Sequence, residues 1–212
     1  KVVHVNMSCQ ADTLERERKP RRLTGKKTQG PPRPLRDEDN LLGLPSREDV
    51  GPGGLVPHEV AKVRNDNQII HFYHSLIQLC EELSIGWTLE ASATSFLWNF
   101  LWVAEVEALR GVTRMETDLC VWGGPAKQRI AMIGRLPELM GLTRACGVGE
   151  GAVPHRHRDV SRDEAMAYPR DFAEAFGQLI LKDLRNKGLL VKPVRKEDPP
   201  EEPPGDDPVV ET

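Results

Sequence analysis

Three positions along this chain carry residue types that could do chemistry together. Cys9 follows the apolar run Val2-Val3-His4-Val5 and precedes Arg16, Arg18, Lys19, Arg21 and Arg22. A thiol beside positive charge is held as thiolate and can act as a nucleophile. The other reading of Cys9 is a small buried hydrophobe at a strand end. Glu90 closes the run Trp87-Thr88-Leu89, either as a functional acid or as the entry to a helix capped by Ser92 or Thr94. Arg129 ends Gly124-Pro125-Ala126-Lys127-Gln128-Arg129, just ahead of the apolar residues 130–133. There a turn delivers bases to the start of a strand, and a solvated strand end explains the same pattern. A second group, Cys146 with His155 and His157 and with Cys120 as a further member, has the residue types of a zinc site. Its spacing is not that of a zinc finger, so solvated histidines in a polar loop are the expected reading and no bound metal is expected.

The elements that must position these residues follow from the apolar pattern. Residues 2–7 read as a strand ending at Ser8-Cys9. Residues 58–84 read as one amphipathic helix, with Val63, Ile70 and Ile77 stepping by seven, and Gly86 is its expected stop. A buried strand is expected over 85–89 and a deeply packed helix over 94–109. Strands are expected over 113–122 and 129–133, and a short helix over 136–146. Tyr168-Pro169 precedes a last helix to about residue 186, with the proline suited to its first turn and Gly188 to its close. Strands alternating with helices predict an α/β domain with a largely parallel open sheet and flanking helices. In such sheets ligands bind beyond the carboxyl ends of the strands.

Charge divides the 212 residues unevenly around a formal net of −3. Residues 1–36 hold ten Lys/Arg against three Asp/Glu, whereas 197–212 hold seven acids, five prolines and no base. The expected organisation is therefore a strand and nucleophile-like loop over 1–13, then a basic Pro/Gly-rich irregular segment over 14–57. The remainder of the α/β domain runs over 58–188, and a disordered acidic Pro-rich tail over 189–212. Arg16, Arg18, Lys19, Arg21, Arg22, Lys26 and Lys27 suit contacts to the phosphates of DNA or another nucleic acid, and a disordered basic linker is the equal alternative. No apolar run approaches the roughly 18 residues of a membrane helix, so no membrane partner is expected. Four scattered cysteines fit a reducing, intracellular compartment, the nucleus included.

In this order the motifs resemble the cytosine-5 DNA methyltransferases. That family carries Pro-Cys after one strand, Glu-Asn-Val after the next, and Gly-x-Pro-Gln-x-Arg-x-Arg before an apolar strand and Ile-Gly. Here stand Ser8-Cys9, Leu89-Glu90-Ala91, and Gly124-Pro125 with Gln128-Arg129 running to Ile133-Gly134. The chain more closely resembles methylase-like open reading frames of dinoflagellate and fungal type, often found beside mobile elements. Matching stretches are Gly30-Pro31-Pro32-Arg33-Pro34-Leu35-Arg36, Ser95-Phe96-Leu97-Trp98, Cys120-Val121-Trp122-Gly123-Gly124, His155-Arg156-His157 and Tyr168-Pro169. The likeness covers residues 2–186. It implies part of a Rossmann-like, methyltransferase-type sheet, in which Cys9 adds to C6 of a flipped-out cytosine. It also implies that Glu90 orients the base, that Arg129 contacts base or phosphate, and that S-adenosylmethionine donates the methyl group.

The chain departs from the family at Ser8, at Gln10-Ala11 and at Ala91-Ser92. It also opens mid-pattern, without the half that carries the cofactor loop, and so reads as a C-terminal fragment that is inactive in isolation. The alternatives are a non-catalytic nucleic-acid-binding remnant of a mobile element, in effect a pseudoenzyme, and a small zinc-stabilised interaction module built on Cys146, His155 and His157.

Overall fold

A computed structural model describes residues 1–6, 34–147, 157–158, 160 and 167–189. Cys9, the basic positions Arg16, Arg18, Lys19, Arg21, Arg22, Lys26 and Lys27, and His155 lie outside the described residues, as does the acidic tail. In chain order the elements are β1 (Val2–Asn6), α1 (Arg47–Val50), α2 (Pro57–Glu82), β2 (Gly86–Ser92), α3 (Leu101–Glu107), β3 (Thr113–Asp118), β4 (Arg129–Gly134) and α4 (Arg170–Asn186). Single 3-10 turns occur at Phe96–Asn99, Leu119–Trp122 and Leu139–Leu142.

The four strands form one open sheet in the order β1-β2-β4-β3. Its flanking helices make this a mixed α/β fold. β1 runs parallel to β2, but β4 is antiparallel to both β2 and β3. The expectation of a largely parallel sheet is therefore corrected. Only residues 119–128 join β3 to β4, short of the dozen or so that a parallel crossover needs, so the chain turns back beside the strand it has just left. One consequence governs the rest of the molecule. The carboxyl ends of β1, β2 and β3 and the start of β4 all fall on the same edge. A Cβ at Gly134 would stand 2.5 Å from the Trp87 carbonyl oxygen, so the close approach of β2 to β4 admits only glycine there.

Period-two alternation sorts the side chains onto two faces. Val5, Trp87, Leu89 and Ile133 pack against Ile70 and Ile77 of α2 and Val103 of α3. Met115, Ile130 and Met132 pack on the opposite face against Phe172 and Phe176 of α4.

Helix α2 matches the predicted span, with Pro57 in its first turn and the Glu59 carboxylate accepting the Val56 N–H at 2.9 Å. Gly86, expected to stop it, instead opens β2 opposite Val2, and Ser84 makes the reversal at φ 52°. The predicted helix 94–109 is broken at Phe100, whose extended backbone (ψ 134°) separates a 3-10 turn from α3. Ser95 begins that turn, its Oγ accepting the Leu97 N–H at 3.2 Å. The strand expected over 113–122 ends at Asp118, and residues 136–146 form one 3-10 turn rather than a helix.

Of the Pro/Gly-rich chain ahead of α2, residues 34–56 are described; they are irregular apart from α1 and are anchored at Arg36. Arg36 is fully buried, and its guanidinium donates to the Leu41 and Val63 carbonyls and, at 2.8 Å, to Asn67 Oδ1. Burial pulls its pKa down to about 10, against a nearby Asp66 that raises it. This arginine remains charged, and it clamps the loop to α2 rather than facing a phosphate. Among the described residues no helix is long and apolar enough to cross a membrane.

Candidate functional site

Glu90 lies within β2, not at its end, and its carboxyl is 1% exposed. The register of β1 on β2 sets His4 opposite Thr88 and Asn6 opposite Glu90. All four fall on the α4 face of the sheet, where Met132 and Met115 continue the row with apolar side chains. Tyr168, two residues ahead of α4, covers them. Its hydroxyl donates to Glu90 Oε2, and it accepts the Asn6 side-chain N–H at 3.1 Å. Asn6 Nδ2 also reaches Glu90 Oε1 at 3.3 Å. His4 bridges the network, with Nε2 3.1 Å from the Tyr168 oxygen and Nδ1 2.8 Å from Thr88 Oγ1.

The electrostatics follow from the burial. Loss of water pushes the Glu90 carboxyl up to about 7, and the Tyr168 hydrogen bond only partly opposes this. Burial also holds the His4 imidazole below its ordinary value, so the 3.8 Å approach of His4 to Glu90 is not an ion pair at neutral pH. The network has two self-consistent directions. With Glu90 ionised, hydrogen bonds run Thr88 to His4 to Tyr168 to Glu90; with Glu90 protonated, each donor and acceptor reverses. A carboxyl that titrates near neutrality, on a chain of exchangeable protons, suits general acid–base work.

Arg129 opens β4 on the same edge of the sheet, opposite Asp118 at the end of β3. Its guanidinium donates Nε and Nη2 to the two Asp118 oxygens at 2.9 and 2.8 Å. Asp118 is fully buried, and burial alone would raise its pKa. The forked bond from Arg129 and the Cys146 backbone N–H, at 2.6 Å, together hold the carboxyl below its ordinary value. Arg129 is thus held in a structural pair, its side chain still 47% exposed.

Beside this pair, the ligating atoms of Cys120, Cys146 and His157 lie within 4.8 Å of one another. The sheet therefore gathers the end of β1, Glu90, Arg129 and this cluster on one edge. Cys9 and His155, expected there too, fall outside the described residues.

Sequence reasoning passed over His4, Asn6, Thr88, Asp118 and Tyr168. A signal existed for the first three. Polar residues alternate with apolar ones in both Val3-His4-Val5-Asn6 and Trp87-Thr88-Leu89-Glu90, which marks one polar face on two neighbouring strands. Tyr168 stood out only as part of Tyr168-Pro169 ahead of the last helix, and its bond to Glu90 depends on where α4 docks. Comparison with protein-family models, curated proteins and solved structures finds no match. What the fold and the site define is a class: an open, mixed α/β sheet with a buried acid–base cluster at its carboxyl edge.

Proposed function

We propose that this edge binds cytosine in DNA in the manner of the cytosine-5 DNA methyltransferases, with Cys9 as nucleophile and Glu90 as the acid that holds the ring. The observation that carries the reading is the pairing of Asn6 with Glu90. Cys9 follows Asn6 by three residues, so chain length alone keeps its Cα within about 11 Å of that of Asn6. A carboxyl near pKa 7 can donate to N3 when protonated and accept from the exocyclic amine when ionised. The Tyr168 hydroxyl occupies Glu90 Oε2, so a bound base would have to displace it. Arg16, Arg18, Lys19, Arg21, Arg22, Lys26 and Lys27 supply the phosphate grip that base extrusion needs, and Arg129 adds an exposed cation at the same edge.

The chemistry assigned to these residues is reversible addition. The Cys9 thiolate bonds to C6, Glu90 gives its proton to N3, and the electron pair of the C5–C6 double bond moves to C5. C5 then takes a proton from water. The hydroxide so formed takes the original C5 proton, which restores the double bond and expels the thiolate, and N3 returns its proton to Glu90. The net change is exchange of the hydrogen on C5, with no co-reactant consumed. S-adenosylmethionine would supply a methyl group at C5 in place of that proton. Among the described residues no glycine loop joins a strand to a helix, so they do not fit that cofactor.

The test is hydrogen exchange at cytosine C5 in a tritiated DNA duplex and a single strand, using the full chain. Tritium release is expected, abolished in Cys9→Ser and lowered at least about tenfold in Glu90→Gln. DNA binding that falls with salt but releases no tritium would replace this reading with that of a non-catalytic nucleic-acid-binding remnant.

A further inference from the structure

The geometry points to a zinc site formed by Cys120, Cys146 and His157 at the carboxyl end of β3. Their ligating atoms lie within 4.8 Å of one another, and Cys146 Sγ is 3.4 Å from His157 Nε2. A tetrahedral zinc about 2.3 Å from sulfur and about 2.0–2.1 Å from nitrogen separates two such ligands by about 3.6 Å. Cys146 and His157 therefore already stand at the spacing the ion requires, and the Cys120 sulfur lies within 4.8 Å of both. The three side chains fill three of its four positions.

The three segments that carry these ligands are brought together by bonds that have nothing to do with a metal. Cys120 sits in the 3-10 turn Leu119–Trp122, which directly continues β3. The loop before Cys146 is laid along β3, with the Asp118 N–H donating to the Arg144 carbonyl at 2.9 Å and Thr117 Oγ1 donating to the same oxygen at 3.3 Å. The Arg144 guanidinium lies 3.7 Å from the centre of the Trp122 ring, which secures the loop from its other side. Asp118 then accepts the Cys146 backbone N–H at 2.6 Å while Arg129 holds its carboxylate. The segment with His157 is tied in separately, the Arg158 N–H donating to the Pro125 carbonyl at 2.8 Å. Asp118 is thus a positioning residue for the site, the role that carboxylates play behind metal ligands.

Ligand chemistry selects the ion. Two thiolates and an imidazole are soft and borderline donors, which exclude magnesium and calcium and suit zinc. Two thiolates also neutralise a divalent cation, so a buried Cys120 beside the ion carries no net charge cost. Cys120 is buried, Cys146 half-buried and His157 exposed, which grades the site from core to surface and leaves a path for the metal to enter. A bound ion would join the end of β3, the loop before Cys146 and the His157 segment at the edge that also carries Glu90. This inference is independent of the cytosine reading and stands or falls by metal content.

The experiment is metal analysis of the full chain, purified without chelator and with reductant, together with cobalt(II) titration of the metal-free protein. About one zinc per chain is expected, falling at least about fivefold in His157→Ala, a substitution at the exposed rim of the site. Cobalt should give the near-ultraviolet charge-transfer absorption of two thiolates with tetrahedral visible bands, and Cys146→Ser should halve the charge-transfer intensity. The wild-type titration keeps the inference falsifiable even where Cys120→Ser does not fold. A chain that takes up no zinc, cobalt spectra without thiolate absorption, or a Cys120–Cys146 disulfide found by thiol counting would each overturn it.

Discussion

Tyr168 and Glu90, separated by 78 residues of chain, meet where the hydroxyl of the first donates to the carboxyl of the second. The bond ties the approach to α4 onto the polar face of β1 and β2. It also makes the ionisation of one buried carboxyl a property of the tertiary structure.

Stability should therefore fall as pH rises through the range in which Glu90 loses its proton. Its ordinary value of 4.5 is pushed up to about 7 in the folded chain, so between these limits the native state holds more proton than the unfolded one. The contribution is fully present below 4.5 and lost by about pH 7, up to about 3 kcal/mol. His4 acts in the opposite sense. Its lowered value means that stability is lost as pH falls below its ordinary 6.5. Denaturant unfolding of wild type and Glu90→Gln from pH 4.5 to 8 separates the two, because the difference between them carries the Glu90 component. The expectation fails if that difference does not change with pH.

Tyr168→Phe removes the donor that opposes burial at Glu90. The carboxyl should titrate at still higher pH, and the variant should lose about 1–3 kcal/mol at pH 8, where a buried charge would lack its partner. The shifted midpoint of the stability–pH curve is the diagnostic reading, since a mere packing defect would lower the whole curve without moving it.

Asp118→Ala should cost about 1–3 kcal/mol. It leaves the Cys146 N–H without its acceptor, while the half-exposed Arg129 can return to water. Arg129→Ala should cost more, because it strands a fully buried carboxylate, a change worth about 3–5 kcal/mol. Equilibrium unfolding of the two variants at pH 7 gives the order directly.

Gly134→Ala should destabilise by about 1–3 kcal/mol, because the new methyl would press on the Trp87 carbonyl at 2.5 Å and on Thr88 Cγ2 at 2.7 Å. Amide hydrogen exchange should accelerate along β2 and β4 while α4 keeps its protection. Equal loss of protection throughout would mean that the contact is not local.

What could be read from the residues alone was whatever depends on near neighbours in the chain. Val63, Ile70 and Ile77 repeat at helical spacing, and α2 follows. Pro169 and the apolar stripe after it mark α4, and the apolar run 130–133 marks β4. Glu90 also stood out from sequence, as an acid closing an apolar run, but placing it inside β2 needed the register with β1 and β4. The tertiary structure decided the rest because those relations are long-range. The length of the β3–β4 connection reversed β4 and so put four strand ends on one edge. The docking of α4 carried Tyr168 onto Glu90. Bonds from Asp118, Arg144 and Arg158 drew Cys120, Cys146 and His157 from three separate segments into one cluster. No periodicity records such meetings, since they are settled by which faces must be buried together and which polar groups must then find partners.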